Sequence, residues 1–112
     1  MHNISLPRLD LIKPTLESTS LKLMEEAGEL AQVVGKLQRK SNEPVAEHNE
    51  LTKQQIAYML AAETFDVAQT VASLAYILEE QYGLDLEEVR QDHMDKMVMK
   101  GYMSREAAQA EG

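Results

Sequence analysis

Apolar residues recur every three or four positions along most of this chain, which is the spacing of one face of an α-helix. A first helix is predicted from roughly Leu16 to Arg39. Its main apolar stripe consists of Leu23, Leu30, Val34 and Leu37. A polar break over residues 41–49 separates it from a second helix, which runs from about Leu51 to Gln81. That helix ends before Gly83, a residue suited to a left-handed C-cap.

The last part of the chain predicts two further helices. Asp85 can cap a third helix, supported by Glu88 three residues later, and this helix ends at Gly101. Ser104 can start a short C-terminal helix, which we expect to fray. The pattern thus predicts an all-α fold, a helical bundle of three main helices plus a short C-terminal helix. The parts of the predicted single domain 1–112 are an irregular lead-in over 1–15, a helical core over 16–103 and a C-terminal tail over 104–112.

One acidic residue of the second helix occupies a position where the pattern calls for a hydrophobic one. The seam of this helix advances in alternating steps of four and three through Ile56, Leu60, Glu63, Val67, Thr70, Leu74 and Ile77. An ionised Glu63 in such a seam is costly unless it is paired or binds a metal. Asp66 follows about 60° further round the helix. Two carboxylates converging on a packed face suggest a cation site, the alternative being a solvated acidic helix.

The first helix carries a matching acidic pair. Glu26 and Glu29 are three residues apart, and Glu26 lies beside the apolar stripe, whereas Glu25 points further toward solvent. If the two helices are antiparallel neighbours, four carboxylates meet at one level. A site with only oxygen ligands suits Mg²⁺, or Mn²⁺ in its place, better than zinc or copper. Gly28 lies between the two carboxylates, and we expect it to allow close helix approach or access to the ion.

A di-iron bundle is the competing interpretation, because it also places carboxylates on facing helices. It needs a Glu-x-x-His pair on each of two helices. Here His93 is preceded three residues earlier by Arg90, and His48 lies in the polar break. The ligand pattern therefore argues against a di-iron site.

The second helix also has a second apolar face, on the side opposite Glu63. This face contains Tyr58, Ala61, Phe65, Ala68, Ala72 and Tyr76. A helix that is apolar all round has to be buried all round, and so short a chain cannot easily cover both sides. We therefore expect a homodimer or homotetramer with this helix near its centre. The alternative is that the alanine-rich face packs against the N-terminal segment.

The composition narrows the possible function classes. Five aromatic residues among 112 favour helices over sheets. The net charge of −8 argues against a general affinity for nucleic acid or for an anionic membrane. The chain has no cysteine, which excludes disulfides, thiol catalysis and zinc–thiolate sites. It shows neither a signal-peptide pattern nor an apolar run long enough to span a bilayer, so we expect a soluble, cytoplasmic protein.

The third helix carries basic residues on or beside its apolar side. That side contains Leu86, Val89 and Met97, and the basic residues near it are Arg90, His93, Lys96 and Lys100. Cations beside an apolar face often extend their charged ends into solvent without any further role. Near a carboxylate-bound metal, however, they are suited to binding the outer oxygens of a polyphosphate.

Three segments follow one another along the chain: Lys22-Leu-Met-Glu-Glu-Ala-Gly-Glu29-Leu, then Glu63-Thr-Phe-Asp66, then Asp95-Lys96-Met-Val-Met-Lys100-Gly-Tyr102. In this order they resemble the first motif, the Glu-x-x-Asp motif and the basic closing segment of the MazG-like, all-α nucleoside triphosphate pyrophosphohydrolases. The resemblance extends from roughly Leu21 to Tyr102. One departure is Lys100, where the family often has an arginine, because a lysine offers a point charge instead of a bidentate fork.

The resemblance implies cleavage of a nucleoside triphosphate between its α- and β-phosphates, giving a monophosphate and pyrophosphate. It implies Mg²⁺ held by four carboxylates, those of Glu26, Glu29, Glu63 and Asp66. Glu25 or Glu26 would take the proton of the attacking water, and Lys96 and Lys100 would stabilise the departing pyrophosphate. Two alternatives stay open: a related hydrolase acting on phosphoribosyl-ATP or a pyrimidine deoxynucleotide, and a non-enzymatic helical oligomerisation or regulatory module.

Overall fold

The computed structural model of the chain describes residues 5–42 and 51–111. Its helices are α1 (Leu16–Ser41), α2 (Lys53–Tyr82), α3 (Leu86–Met99) and α4 (Arg105–Glu111). This confirms the predicted all-α class, with three main helices and a short C-terminal one. Most of the predicted polar break, and His48 with it, lies outside the described residues. The chain divides into two compact units, Met1–Ile77 and Leu78–Gly112.

Reciprocal side-chain hydrogen bonds start the first two helices. At the start of α1, Thr15 Oγ1 accepts from the Ser18 backbone N–H at 3.0 Å, while Ser18 Oγ accepts from the Thr15 N–H at 3.0 Å. At the start of α2, Thr52 Oγ1 accepts from the Gln55 N–H at 3.2 Å, and Gln55 Oε1 accepts from the Thr52 N–H at 2.8 Å. Such capping boxes satisfy donors that have no partner inside the helix. The second capping box explains why α2 begins at Lys53, whereas the apolar pattern predicts a start at about Leu51.

Glycines with positive φ end α2 and α3, as predicted. Gly83 has φ of 64° and Gly101 has φ of 79°, values that a residue with a Cβ adopts only with strain. After α3, the Tyr102 N–H donates to the Met97 carbonyl and the Gly101 N–H donates to the Val98 carbonyl, both at 3.0 Å. This pair of bonds is a Schellman motif, which satisfies carbonyls at the helix end.

The covered side of α1 is a regular seam of alternating four- and three-residue steps. Its buried or half-buried members are Thr19, Leu23, Glu26, Leu30, Val33, Leu37 and Lys40. The predicted positions of Val34 and Glu26 on α1 are wrong. Val34, predicted in the stripe, is 38% exposed, and Val33 is buried in its place. Glu26, predicted beside the stripe, lies within it. A seven-residue repeat places residues 19, 26, 33 and 40 on one line, and this line includes Glu26 and Val33.

The covered side of α2 is the predicted seam. Ile56, Thr70 and Ile77 are buried, and Leu60, Glu63, Val67 and Leu74 are half-buried. Thr70 contacts Glu26 of α1, whereas Leu60 lines a groove with Leu37 of α1. Residue 26 of α1 thus lies near residue 70 of α2, and residue 37 of α1 lies near residue 60 of α2. The residue numbers rise along one helix as they fall along the other. The two helices are antiparallel, which is the arrangement on which the predicted four-carboxylate site depends.

The N-terminal segment covers one half of the second apolar face of α2. Gln69 Nε2 donates to the Pro7 carbonyl at 2.9 Å, and Tyr76 Oη donates to the Leu6 carbonyl at 3.0 Å. The Arg8 guanidinium lies 4.3 Å from the centre of the Tyr76 ring, within cation–π distance. The other half of the face is open, since Tyr58 is 78% and Phe65 is 50% exposed. The alternative prediction, that this face packs against the N-terminal segment, is therefore correct for the Tyr76 end. The Tyr58 end leaves apolar surface exposed.

In the second unit, α4 packs against α3. Arg105 Nη1 donates to Asp95 Oδ1 at 2.7 Å, and Ala108 of α4 is buried. Along α3, Leu86 and Met97 are half-buried, as predicted. Val89, which shares their side of the helix by its spacing, is 52% exposed. In the part of the chain that the structure describes, none of the helices has the length and apolar character needed to cross a membrane.

The N-cap of α3 gives a test of the second unit. Asp85 Oδ1 accepts from the backbone N–H groups of Glu87 at 3.0 Å and Glu88 at 3.3 Å. Asp85→Ala removes both bonds, so we expect the free energy of unfolding to fall by about 1 kcal/mol. Asp92→Ala, in the exposed middle of the same helix, is the control. Because alanine is favourable there, urea titration should show no loss of stability for this variant.

Candidate functional site

Four carboxylates of the first unit influence one another electrostatically. Helix α1 supplies Glu26 and Glu29, one turn apart, and α2 supplies Glu63 and Asp66. The pKa of Glu63 is raised above its ordinary value, first by desolvation and then by the negative charges of Glu29, Asp66 and Glu26. The structure thus brings the four predicted acidic residues into one electrostatic neighbourhood, with Glu63 at its centre.

Glu63 is the member of this group whose ionised form is the most disfavoured. The residue is half-buried, and its Oε2 atom is buried with no hydrogen-bond partner among the described residues. A buried carboxylate oxygen without a donor loses solvation that nothing replaces. Its near neighbours are further acids, which add repulsion. A divalent cation would relieve both penalties, so the donor set fits a magnesium or manganese ion on chemical grounds.

Among the described residues, Glu26 has one hydrogen-bond donor and one nearby cation. The residue is 8% exposed, and its Oε2 accepts a hydrogen bond from Thr70 Oγ1 at 3.2 Å. Lys22 Nζ lies 3.7 Å from Oε1, as an ion pair of the i, i+4 type within α1. The Lys22 side chain is 63% exposed, so this pair contributes little. The buried hydroxyl of Thr70 is therefore the partner that orients Glu26.

The other two carboxylates lie at the surface. Glu29 and Asp66 are exposed, whereas Glu26 and Glu63 face the α1–α2 seam. Within residues 5–42 and 51–111, no three His, Asp or Glu side chains are gathered closely enough to coordinate one ion. Coordination by all four would need changes of side-chain rotamer, which exposed glutamate and aspartate side chains can make at small cost.

Gly28 and Glu25 lie away from the seam. A Cβ added to Gly28 would meet nothing within 4 Å, so the expectation of close helix approach at this glycine is wrong. The reason is geometric: residue 28 is two positions from both Glu26 and Leu30, and two positions correspond to about 200° around a helix. Gly28 therefore faces away from α2. Glu25 is exposed next to Glu26, as predicted.

The basic residues of α3 fall into two groups. Arg90 binds Glu87 through two nitrogens, with Nη2–Oε1 at 2.7 Å and Nε–Oε2 at 3.1 Å. This bidentate contact lowers the pKa of Glu87 and raises the pKa of Arg90. His93, Lys96 and Lys100 are exposed and spaced by three and four residues, which places them on one face of α3. These residues belong to the second unit, so their proximity to the carboxylates stays a prediction.

Two contacts of the site were not predicted. The apolar spacing places Thr70 in the α2 seam, but no partner was predicted for it. A polar contact could have been predicted, because a polar residue in an apolar seam implies a polar partner across it. Glu87 likewise gave no sign of engaging Arg90, although the i, i+3 spacing of an acid and an arginine on one helix permits it.

A comparison with protein-family models identifies a domain family for most of this chain. The family model described as MazG nucleotide pyrophosphohydrolase domain matches residues 14–100. The matched segment includes α1, α2 and α3, and with them the four carboxylates and the basic residues of α3. No significant match was found among curated proteins or among solved structures.

The raised pKa of Glu63 leads to a test in ion-free protein. Glu63→Gln removes one charge from an acidic cluster and keeps the volume of the side chain, so the melting temperature measured in EDTA should rise at neutral pH. The sign follows from the direction of the shift: a raised pKa means that the folded state disfavours the ionised form. This benefit should disappear as the pH falls and wild-type Glu63 becomes protonated.

Glu25→Gln is the matched control, because Glu25 is exposed on the same pair of helices and outside the seam. Calorimetry should show a smaller change for this variant than for Glu63→Gln. Equal melting temperatures for wild type and Glu63→Gln would contradict the crowded acidic site.

Proposed function

Because this chain belongs to the MazG nucleotide pyrophosphohydrolase domain family, we propose that it is a Mg²⁺-dependent enzyme that cleaves a nucleoside triphosphate. The bond broken is the one between the α- and β-phosphates, and the products are a nucleoside monophosphate and pyrophosphate. The observation that supports this most directly is the buried, unpaired oxygen of Glu63 amid the charges of Glu26, Glu29 and Asp66. A structural role alone would not favour four like charges at one level of a helix pair.

In the proposed reaction, Glu26, Glu29, Glu63 and Asp66 hold Mg²⁺, with Mn²⁺ as a substitute. When bound, the ion supplies neutralisation of phosphate charge and activation of water. Glu26 and Glu63 come from the seam, where packing restricts their rotamers. Glu29 and Asp66 lie at the surface and can adjust to the substrate. Preorganised inner ligands and adaptable outer ones suit a site that has to admit a polyphosphate.

The proton of the attacking water needs an acceptor. Both oxygens of Glu26 already lie near donors, since Thr70 contacts Oε2 and Lys22 lies near Oε1. Glu25 is exposed, and the structure shows no comparable contact for it within the described residues. We therefore favour Glu25 over Glu26 as general base. The water oxygen would attack the α-phosphorus as its proton passes to the carboxylate. The bond from that phosphorus to the bridging oxygen would break, and its electron pair would leave on the departing pyrophosphate.

Positive charge for the phosphates is proposed to come from α3. His93, Lys96 and Lys100 are exposed on one face of this helix and suit a polyphosphate chain. Arg90 is a weaker candidate for substrate binding than the sequence alone suggested, because Glu87 already occupies its guanidinium. Binding of phosphate by Arg90 would require this bidentate contact to break.

The open half of the second α2 face supports a proposal about assembly. Tyr58 and Phe65 of α2 and Leu21 and Met24 of α1 are large apolar side chains that are at least half exposed. The buried hydrophobic residues among those described are few, namely Val33, Ile56, Ile77 and Ala108. Association of like chains would cover the exposed apolar surface. We propose a homodimer or homotetramer, located in the cytoplasm, with a nucleotide as ligand and neither nucleic acid nor membrane as partner.

Pyrophosphate release tests the proposed reaction. A panel of ribo- and deoxyribonucleoside triphosphates, together with phosphoribosyl-ATP, should yield pyrophosphate in the presence of Mg²⁺ and none in EDTA. Glu63→Gln should lower kcat/KM by a factor of about 100 or more, because it removes a charged ligand of the metal. The panel also separates a general triphosphatase from an enzyme specific for phosphoribosyl-ATP or a pyrimidine deoxynucleotide.

Asp92→Asn is the matched control for this assay, since it removes an exposed acidic charge from α3 and leaves the four carboxylates intact. A folded Glu63→Gln variant with wild-type turnover would refute the proposed mechanism. A wild-type protein that releases no pyrophosphate from any nucleotide, yet is a stable oligomer, would favour the non-enzymatic module.

Phe65→Glu tests the proposed assembly. Light scattering of the wild type should give at least a dimeric mass, and the glutamate should weaken association because it places a charge in an apolar contact. Gln81→Glu is the control, because it adds the same charge at an exposed position near the end of α2. A wild type that stays monomeric at high protein concentration would contradict the proposal.

A further inference from the structure

A threonine in the seam connects the two acidic pairs. Thr70 is 5% exposed, and its Oγ1 atom lies 3.2 Å from Glu26 Oε2 across the helix pair. The same atom lies 3.1 Å from the backbone carbonyl oxygen of Asp66, one turn earlier in α2. One hydroxyl therefore contacts a carboxylate of the first acidic pair and the backbone of the second.

The hydroxyl has one proton and two possible acceptors. A threonine inside a helix ordinarily donates to the carbonyl four residues earlier, as Thr64 Oγ1 does to Leu60 at 2.8 Å. At Thr70 the competing acceptor is a carboxylate, and hydrogen bonds to an ionised acceptor are about twice as strong as those between neutral groups. The contact is also buried, which strengthens it further. The proton of Thr70 is therefore directed to Glu26.

This bond fixes the plane of the Glu26 carboxylate. Rotation about the last torsion of a glutamate is broad, so a carboxylate without partners samples many orientations. Thr70 occupies one lone pair of Oε2 and leaves the remaining lone pairs of the carboxylate available. Because Lys22 is largely exposed, it adds little restraint on the other side.

We propose that Thr70 is a positioning residue, which orients Glu26 as a ligand and thereby sets the affinity of the four-carboxylate site for its divalent ion. This inference rests on the proposed function, because it assumes that the acidic cluster binds Mg²⁺ or Mn²⁺. It assigns Thr70 no contact with substrate. Removal of such an outer hydrogen bond commonly weakens metal binding by a factor of about 10 to 100.

Direct measurement of Mn²⁺ binding tests the proposal without reference to turnover. Free Mn²⁺ is followed by electron paramagnetic resonance as each variant is titrated in the absence of nucleotide. Thr70→Val, which keeps the branched shape and removes the hydroxyl, should raise the Kd by a factor of about 10 or more. Thr70→Ser, which keeps the hydroxyl, should bind within about threefold of wild type.

Thr64→Val is the matched control, because it makes the same substitution in the same helix and removes a hydroxyl whose one partner among residues 5–42 and 51–111 is the Leu60 carbonyl. Its Kd should equal that of wild type. If Thr70→Val does not fold, Thr70→Ala replaces it. Alanine and serine both lack the γ-methyl group, so a Kd that is raised in Thr70→Ala and restored in Thr70→Ser isolates the hydroxyl.

A double variant separates positioning from packing. In Glu26→Gln the carboxylate that Thr70 orients has gone, so adding Thr70→Val should raise the Kd by less than twofold further. A packing defect would instead lower affinity to the same degree in both backgrounds. Equal Kd values for wild type and Thr70→Val overturn the positioning role and leave the proposed function intact. A wild type that binds no Mn²⁺ overturns both.

Discussion

Repulsion among acidic side chains held along one pair of antiparallel helices is the constraint on which the rest of the site depends. Glu26 and Glu63 lie in a seam that is otherwise mostly apolar, and desolvation together with neighbouring charge raises the pKa of Glu63. Helix packing could be satisfied more cheaply by leucine at either position. We propose that the carboxylates are kept there as oxygen ligands, so that the helix pair would be more stable with a cation bound than without one.

The shape of the first unit follows from how two helices share limited apolar surface. One side of α2 packs against α1, and the N-terminal segment covers only the Tyr76 end of the other side, through Gln69 and Tyr76. The Tyr58 end stays open to solvent. This exposed apolar half-face lies on α2, the helix that supplies Glu63 and Asp66. An assembly formed there would therefore also stiffen the helix that carries half of the acidic site.

The second unit shows how local ion pairs limit which charges are available for function. Glu87 engages Arg90, and Asp95 engages Arg105 between α3 and α4. The Asp95–Arg105 contact joins α3 to α4, whereas the Glu87–Arg90 contact lies within α3, and each engages one guanidinium group. The exposed basic face of α3 is then reduced to His93, Lys96 and Lys100. A lysine-rich face binds phosphate through point charges and tolerates different phosphate orientations better than a bidentate arginine would.

Sequence patterns alone predicted the helices of the described residues, the α2 seam and the unusual place of Glu63. The spacing of apolar residues decides which residues share a face, and capping residues mark where helices begin and end. Glycines suited to positive φ fixed where α2 and α3 end. The tertiary structure decided which of Val33 and Val34 is buried, that Glu26 lies within the seam, and that Gly28 faces away from it. Adjacent residues differ by only about 100° on a helix, so their burial depends on the partner helix and its register. That register also brought Thr70 to Glu26, a contact between residues 44 positions apart that no local pattern encodes.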